Sequence, residues 1–483
     1  MLARALVALT LAACGSVRTA DAGPDVSRAD ATADRADTRS AADAPDDPPV
    51  DAMSDTRIDA ASDAAPAVVT ATNPVIAGDH PDPDVLRVIG ADGRATYYLV
   101  HTAGSGVDIP IYTSRDLVAW TRLADGAFRR SATPGDSLAI GDHHYCNVWA
   151  PEIRPVPGGY VLSFTATRFA SPRHPCPAYD EDSGVYLAYS ASPTGPFAPL
   201  DHPWEPLPTG GQISTCAAAV RDAIPHSPDV AFHGCAGGFC DNVVRLDDDV
   251  FHDPLTDRWW LAYAWYTNSP ALASWEFTNM GEHVSLVELD ASDPFAVICQ
   301  TRVPKVFAAS PHDAPTLAAL GAYCPRCGEM LSNTRGRFDE EMSRGGHSWG
   351  VNEAPMLFRR NGLVYLLASG SAWDSAYYHV FWLAAPSVEQ LAYDSPSRIV
   401  GRFIVPSLGQ SFGHGTAVLG PDGVHWYYVH HRLDQGPCRA SGACGRDIWI
   451  SPMTFDDRAD GRGPAWLRAI FPAEARGVSV TLP

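Results

Sequence analysis

An all-β chain folded as a five-bladed β-propeller is what this sequence predicts, and three observations carry that expectation. One unit recurs five times: a Gly or Asp turn, an aromatic-rich strand, a second strand and a polar exit. The strands alternate or run apolar in Tyr, Trp, Val and Leu between turn residues, which is a β signal. Helical periodicity is weak everywhere except around 386–393. Units that cannot bury both faces alone stack radially. The alternative is one or two β-sandwiches, but about four hundred residues with five matching hairpins exceed a single sandwich.

The copies, in chain order, are DGRATYYLVHTA with VDIPIYTSRDLVAW, GGYVLSFTAT with SGVYLAYSASPTGPF, TDRWWLAYAW with HVSLVELDASDPF, NGLVYLLASGSA with YYHVFWLAAPSVEQL, and DGVHWYYVHHR with RDIWISPMTFD. Between them lie long stretches rich in Cys, Pro and Gly at 168–182, 205–243 and 300–349. These read as loops, and loops over one face of a propeller build a binding site.

Two segments precede the repeats. Residues 1–14, MLARALVALTLAAC, combine one basic residue with an apolar run too short to span a membrane, the form of a secretory signal. The ending Leu11-Ala12-Ala13-Cys14 resembles a bacterial lipobox, which implies lipid attachment at Cys14; an ordinary signal peptide with a chance Cys is the alternative. Either way the mature chain is expected outside the cytoplasm, lipid-anchored at the cell envelope or surface, or secreted. Residues 15–70 hold twelve Asp, five Arg and no aromatic residue. Such a segment cannot bury enough apolar surface to offset its ordering entropy, and it reads as a disordered acidic tether. Residues 71–483 then form the folded part.

The formal net charge is −21, and about −15 remains once the first 70 residues are removed. An acidic surface without a basic cluster argues against nucleic acid or anionic polysaccharide and favours a neutral substrate. Lys305 is the sole lysine, a bias that reflects genome composition more than chemistry. Of eleven Cys, ten follow Cys14. An even number in an exported chain suggests disulfides, with pairings that spacing alone leaves open. Cys324-Pro-Arg-Cys327 could also be redox-active or half of a zinc site, yet no second Cys or His pair stands at ligand spacing nearby.

Three carboxylates stand in separate local motifs: Asp82 in NPVIAGDHPDPDVLRV, Asp247 in VVRLDDDVFHDP and Glu353 in WGVNEAPMLFRRNGLVYLL. Each sits at the mouth of a strand. Glycosidic cleavage needs one carboxyl to protonate the leaving oxygen and another to activate water on the opposite face of the sugar. The plainer readings are a turn cap for Asp82 and an exposed loop residue for Glu353. Asp247 competes with Asp248 and Asp249, and counting back from Phe251-His252-Asp253 selects it.

These motifs resemble glycoside hydrolase family 43, five-bladed propeller enzymes of arabinose- and xylose-containing polysaccharides. The resemblance rests on Asn73-Pro74 with His80-Pro81-Asp82-Pro83, Trp149-Ala150-Pro151-Glu152-Ile153, Ser192 to Phe197, Leu246-Asp247 through Asp253, Asn352-Glu353-Ala354-Pro355 and Gly413-His414-Gly415. It covers about 72–460. It implies an inverting mechanism with Asp82 as general base, Glu353 as general acid, and Asp247 orienting the acid and holding its pKa up. Base and acid are then expected roughly 6.5–9.5 Å apart. His414 is implied to face a central ion, commonly calcium, against the plainer reading of a structural histidine; the chemistry itself needs no cofactor. Arg446 is implied to reach sugar hydroxyls and the carboxylates, against a surface salt bridge. Trp149 reads as a wall of the sugar subsite or as plain core.

The implied activity is α-L-arabinofuranosidase first, then β-xylosidase, then endo-arabinanase, by a monomeric enzyme. Retaining fructan-cleaving relatives carry an Asn-Asp-Pro-Asn type motif, and His-Pro-Asp-Pro here argues against them. A non-catalytic glycan-binding surface lipoprotein is the alternative of a different class.

Overall fold

A computed structural model describes residues 67–177, 183–199, 243–267, 283–289, 306–308, 352–370, 373, 378–391, 397, 399–400, 411–433, 445–456, 466–470 and 477–483. The expected signal segment with Cys14, the tether up to residue 66 and most of the 205–243 and 300–349 loops, with their cysteines, lie outside these residues. The described residues belong to the compact unit Ala64–Pro483.

Their regular structure is almost entirely β. β1 (Val68–Ala71) is followed by a first sheet of β2 (Asp84–Ile89), β3 (Ala95–Val100), β4 (Ile111–Ser114) and β5 (Thr121–Arg122). The second sheet holds β6 (Leu138–Ile140), β7 (His143–Val156), β8 (Gly159–Phe169), β9 (Gly184–Ser190) and β10 (Ala198–Pro199). The third holds β11 (Val243–Asp253), β12 (Arg258–Thr267), β13 (His283–Leu289) and β14 (Val306–Ala308). β15 (Asn352–Arg360), β16 (Leu363–Gly370), β17 (His379–Ala385) and β18 (Ile399–Val400) make the fourth. β19 (Phe412–Leu419), β20 (Trp426–Leu433), β21 (Arg446–Asp456) and β22 (Trp466–Ile470) make the fifth, and β23 (Val478–Thr481) closes the order.

Each sheet is an antiparallel meander in sequence order. The five hairpins read from the sequence are β3–β4, β8–β9, β12–β13, β16–β17 and β20–β21. The weak helical signal is a single 3-10 turn at Val388–Leu391. β1 pairs with β23, Val68 opposite Thr481 through Ala71 opposite Val478, so a strand reaches three residues into the segment read as tether. The cause is local: Val68, Val69 and Thr70 form an unbroken run of three β-branched residues, which favours a strand.

Period-2 alternation explains why the strands run apolar. On β16, Val364, Leu366 and Ala368 join a core cluster with the third sheet, while Tyr365 and Leu367 join a cluster with the fifth. Both faces are buried, so both parities must be apolar. Similar layers lie between the first and second sheets around Leu86, Ile153 and Phe164, and between the fifth and first around Tyr97, Leu99 and Val429.

The lead strands β2, β7, β11, β15 and β19 neighbour one another in cyclic order, β19 returning to β2. Arg154 of β7 sits at their shared centre. It reaches Asp84 of β2 at 2.5 Å, Asp249 of β11 at 2.8 Å and Glu152 of its own strand at 3.2 Å. Thr416 of β19 donates to Asp84, and the Leu357 N–H of β15 to Asp249. One guanidinium thus serves three buried carboxylates, and all five lead strands join the network. Burial, then the charge of Asp249, pushes Glu152 well above the usual carboxylate range. Removing one partner from a buried ionic network leaves uncompensated charge. Arg154→Met is therefore expected to cost about 3–5 kcal/mol in denaturant unfolding, a loss that shrinks as falling pH protonates the stranded carboxylates. An unchanged midpoint would show that the network does not hold the ring.

Two further ties frame the ring. Arg359 grips Asp253 through Nε–Oδ1 at 2.6 Å and Nη2–Oδ2 at 2.5 Å, joining the third and fourth sheets. Cys146 and Cys176 form a disulfide across 30 residues of sequence, fastening the chain after β8 to β7.

Candidate active site

Each lead strand carries, within it or just before it, a residue in left-handed backbone: Asp82 (φ 56°), Ala150 (45°), Asp247 (49°), Ala354 (53°) and His414 (44°). In four sheets a register shift accompanies it. Such bulges re-aim side chains at the end of a strand. Here the left-handed residue recurs in all five sheets, with a bulge in four of them, and the five mouths bring side chains to one region.

A latch holds four of these five left-handed residues. The N–H of Ala150 donates to Thr102 Oγ1 at 2.7 Å, that of Asp247 to Thr165 Oγ1 at 3.0 Å, that of His414 to Ser369 Oγ at 2.8 Å and that of Asp82 to His431 Nδ1 at 3.0 Å. The acceptor always comes from the second strand, or its immediate exit, of the preceding sheet. At the fourth mouth the equivalent position on β12 is Ala264, opposite Leu246, which has no acceptor. There Asp247 Oδ2 takes the Ala354 N–H at 3.2 Å. Asp247 is thereby tied to the backbone next to Glu353.

Asp82, Asp247, Glu353, Trp149, Arg446 and His414, the six expected site residues within the described chain, all line one cavity of about 260 Å³. Cys14, the expected lipidation site, lies outside the described residues. Asp248 and Asp249 do not line it: Asp249 is spent on Arg154, and burial pushes the Asp248 carboxyl up to about 7.

The two outer carboxylates are pushed apart electrostatically. Burial would raise Asp82, but Arg446, with Nη1 3.3 Å from Oδ1, outweighs it together with His414 and His431 and holds Asp82 well below the usual range. The Thr102 hydroxyl donates to its Oδ2 at 2.6 Å. Glu353 is pushed up to about 7, first by burial and then by the charge of Asp82, against the hydroxyl of Tyr378 and the charge of Arg446. Asp82 is thus poised as the ionised member and Glu353 as the protonated one.

Arg446 is no free surface cation: besides Asp82 it stacks over Trp373, 4.4 Å from guanidinium carbon to ring centroid. His414 turns Nδ1 toward Asp82 Oδ1 at 3.4 Å and Asp247 Oδ2 at 3.8 Å. Among the described residues no three His, Cys, Asp or Glu side chains converge as a metal site. Trp149 is half-buried on the cavity wall. Sequence reasoning missed Trp373, which lines the cavity with 40 % of its surface exposed, and the supporting Thr102, Tyr378 and His431. The alignment of residues opposite each mouth would have pointed to Thr102, Thr165, Ser369 and His431; Trp373 and Tyr378 carry no such periodic signal.

Fold and site together define a class: an all-β protein whose five sheets carry three acidic side chains from separate sheets into one cavity. More particularly, residues 71–212 and 329–461 match the profile of glycosyl hydrolases family 43, over half of the chain, and the protein belongs to that family. Over 83 residues it is 32% identical to a β-D-galactofuranosidase of Aspergillus niger, covering 17% of this chain and 24% of that one. Over 119 residues it is 29% identical to a Xylanibacter ruminicola protein provisionally named a β-xylosidase, covering 25% and 19%. The chain thus spans about a quarter or less of the length of these curated relatives. An α-L-arabinofuranosidase structure from Lactobacillus brevis superposes with a TM-score of 0.50 at 16% identity, covering 84% of this chain and 98% of that one. At that identity the likeness shows the fold.

Proposed function

We propose that the protein is an inverting glycoside hydrolase of arabinofuranosyl or xylosyl linkages, α-L-arabinofuranosidase first, with β-xylosidase and endo-arabinanase as the other specificities. The five sheets are then five blades about the axis occupied by Arg154. The observation that carries the reading is the opposed displacement of Asp82 and Glu353 at one cavity, which is how acid and base are told apart.

In this mechanism Asp82 Oδ takes a proton from water as that water attacks the anomeric carbon, while Glu353 delivers its proton to the departing glycosidic oxygen. Asp247 holds the backbone beside Glu353. Arg446 keeps Asp82 ionised and offers donors toward sugar hydroxyls, and Trp149 presents an apolar wall to sugar C–H faces. An ion beside His414, proposed from the family resemblance, would take one nitrogen from the protein and water for the rest of its shell. It would add positive charge near the carboxylates, and no proton transfer depends on it.

The test is hydrolysis of aryl α-L-arabinofuranoside, β-D-xyloside and β-D-galactofuranoside, with NMR of the first-formed anomer. Inversion is expected, and a retained anomer would exclude water attack from Asp82. The pH profile of kcat/KM should be bounded on its alkaline side: Glu353 loses its proton as pH rises through about 7, so the rate falls there. Asp82 stays ionised well into acid, so the acid limb lies far lower. Sugar binding without hydrolysis of these glycosides, arabinan or arabinoxylan would favour a glycan-binding role instead.

A further inference from the structure

Tyr378 has no part in the mechanism above, yet its hydroxyl donates to Glu353 Oε1 at 2.5 Å from a fully buried position. Its ring lies stacked on His431, centroids 5.6 Å apart and planes 10° apart. Gly413 leaves it room: a Cβ there would come within 2.5 Å of the ring. The Ser369 hydroxyl also bears on the Tyr378 oxygen. The Tyr378 proton itself is directed at Glu353 Oε1.

A protonated carboxyl has one oxygen that carries hydrogen and one that accepts. If Tyr378 fills Oε1 as donor, the acid proton is confined to Oε2, the oxygen left for the leaving group. When that proton departs, Glu353 becomes an anion and the Tyr378 bond becomes charge-assisted, hence stronger. The interaction thus grows along the reaction, which is the condition for raising kcat. Resting on the hydrolase reading, we propose that Tyr378 is the positioning residue of the general acid, directing its proton onto Oε2 and stabilising the carboxylate that proton transfer leaves behind. His431, whose ring supports Tyr378 and whose Nδ1 holds the Asp82 N–H, couples the acid's mounting to that of the base.

The test is Tyr378→Phe, which keeps the stacked ring. On an oligosaccharide, whose leaving group needs its proton, kcat should fall roughly 10- to 100-fold, the range of one hydrogen bond to a charged group, with KM little changed. On a dinitrophenyl glycoside, which leaves without a proton, the loss should stay within about threefold. A purely structural role would lower both alike; equal losses, or none, overturn the proposal. Infrared difference spectroscopy separates this from failure of the hydrolase reading. The protonated Glu353 carbonyl band, assigned by its disappearance in Glu353→Gln, should move to higher frequency in Tyr378→Phe, and its titration to higher pH. The charged groups facing Glu353, Asp82 and Arg446, are unchanged in that variant. An unmoved band overturns the proposal even if the wild type proves inactive; a moved band with no hydrolysis by the wild type leaves Tyr378 bonded to Glu353 and refutes the catalytic role.

Discussion

Asp82→Asn is expected to lower kcat on the order of 10³-fold, the loss typical of removing a general base, and to do so equally for oligosaccharides and activated aryl glycosides. The base acts on water, whose attack is common to every substrate, so leaving-group quality offers no escape. Asparagine keeps the shape of the side chain and an oxygen for the Thr102 hydroxyl, which now contacts Asp82 Oδ2 at 2.6 Å. What it removes is the charge that Arg446, His414 and His431 surround. Circular dichroism and thermal unfolding should show a folded protein, because the left-handed turn at Asp82 is held by its backbone N–H on His431. A variant that loses natural-substrate activity but keeps aryl glycoside hydrolysis would assign Asp82 to proton donation and reverse the roles.

Glu353→Ala should give the opposite signature. On oligosaccharides kcat is expected to fall about 10³-fold. On a dinitrophenyl glycoside it should fall roughly tenfold or less, because the leaving phenolate needs no proton. The alkaline limb near pH 7 should vanish on the aryl substrate, since the group that titrates there is gone. Equal loss on both substrates, with the alkaline limb intact, would exclude Glu353 as the acid. Its position makes the test clean: Glu353 lies one residue before the bulge at Ala354, whose N–H is held by Asp247, so truncating the side chain leaves that tie in place.

The Asp247 tie shows how far residue patterns can reach. Three consecutive aspartates in LDDDV are chemically alike, and counting from Phe251-His252-Asp253 selected the first as the site residue. The structure places that one in the cavity and sends Asp249 to Arg154 and Asp248 into the interior. The physical reason is the bulge at Asp247, which turns one residue toward the mouth and returns the next two to the strand. Asp253 of the same motif is consumed by Arg359. The Trp149-Ala150-Pro151-Glu152 motif divides likewise: Trp149 lines the cavity, while Glu152, two residues past its bulge, belongs to the buried network below.

By itself, the amino-acid sequence determined the all-β class, the five repeating hairpins and the residues at each strand mouth. These are local properties: strand periodicity, turn residues and short motifs are written within a dozen neighbouring positions. Only the tertiary structure decided what those mouths share. The Thr102, His431 and Tyr378 contacts, the stacking of Arg446 on Trp373, the Cys146–Cys176 bond and the Arg154 hub all join residues from different sheets or distant stretches of chain. Which side chains meet there depends on how five sheets close into a ring, and closure is a property of packed surfaces that no local pattern contains. The displacements of Asp82 and Glu353 arise at the same level, because burial and the charges of residues from other sheets exist only once the ring has formed.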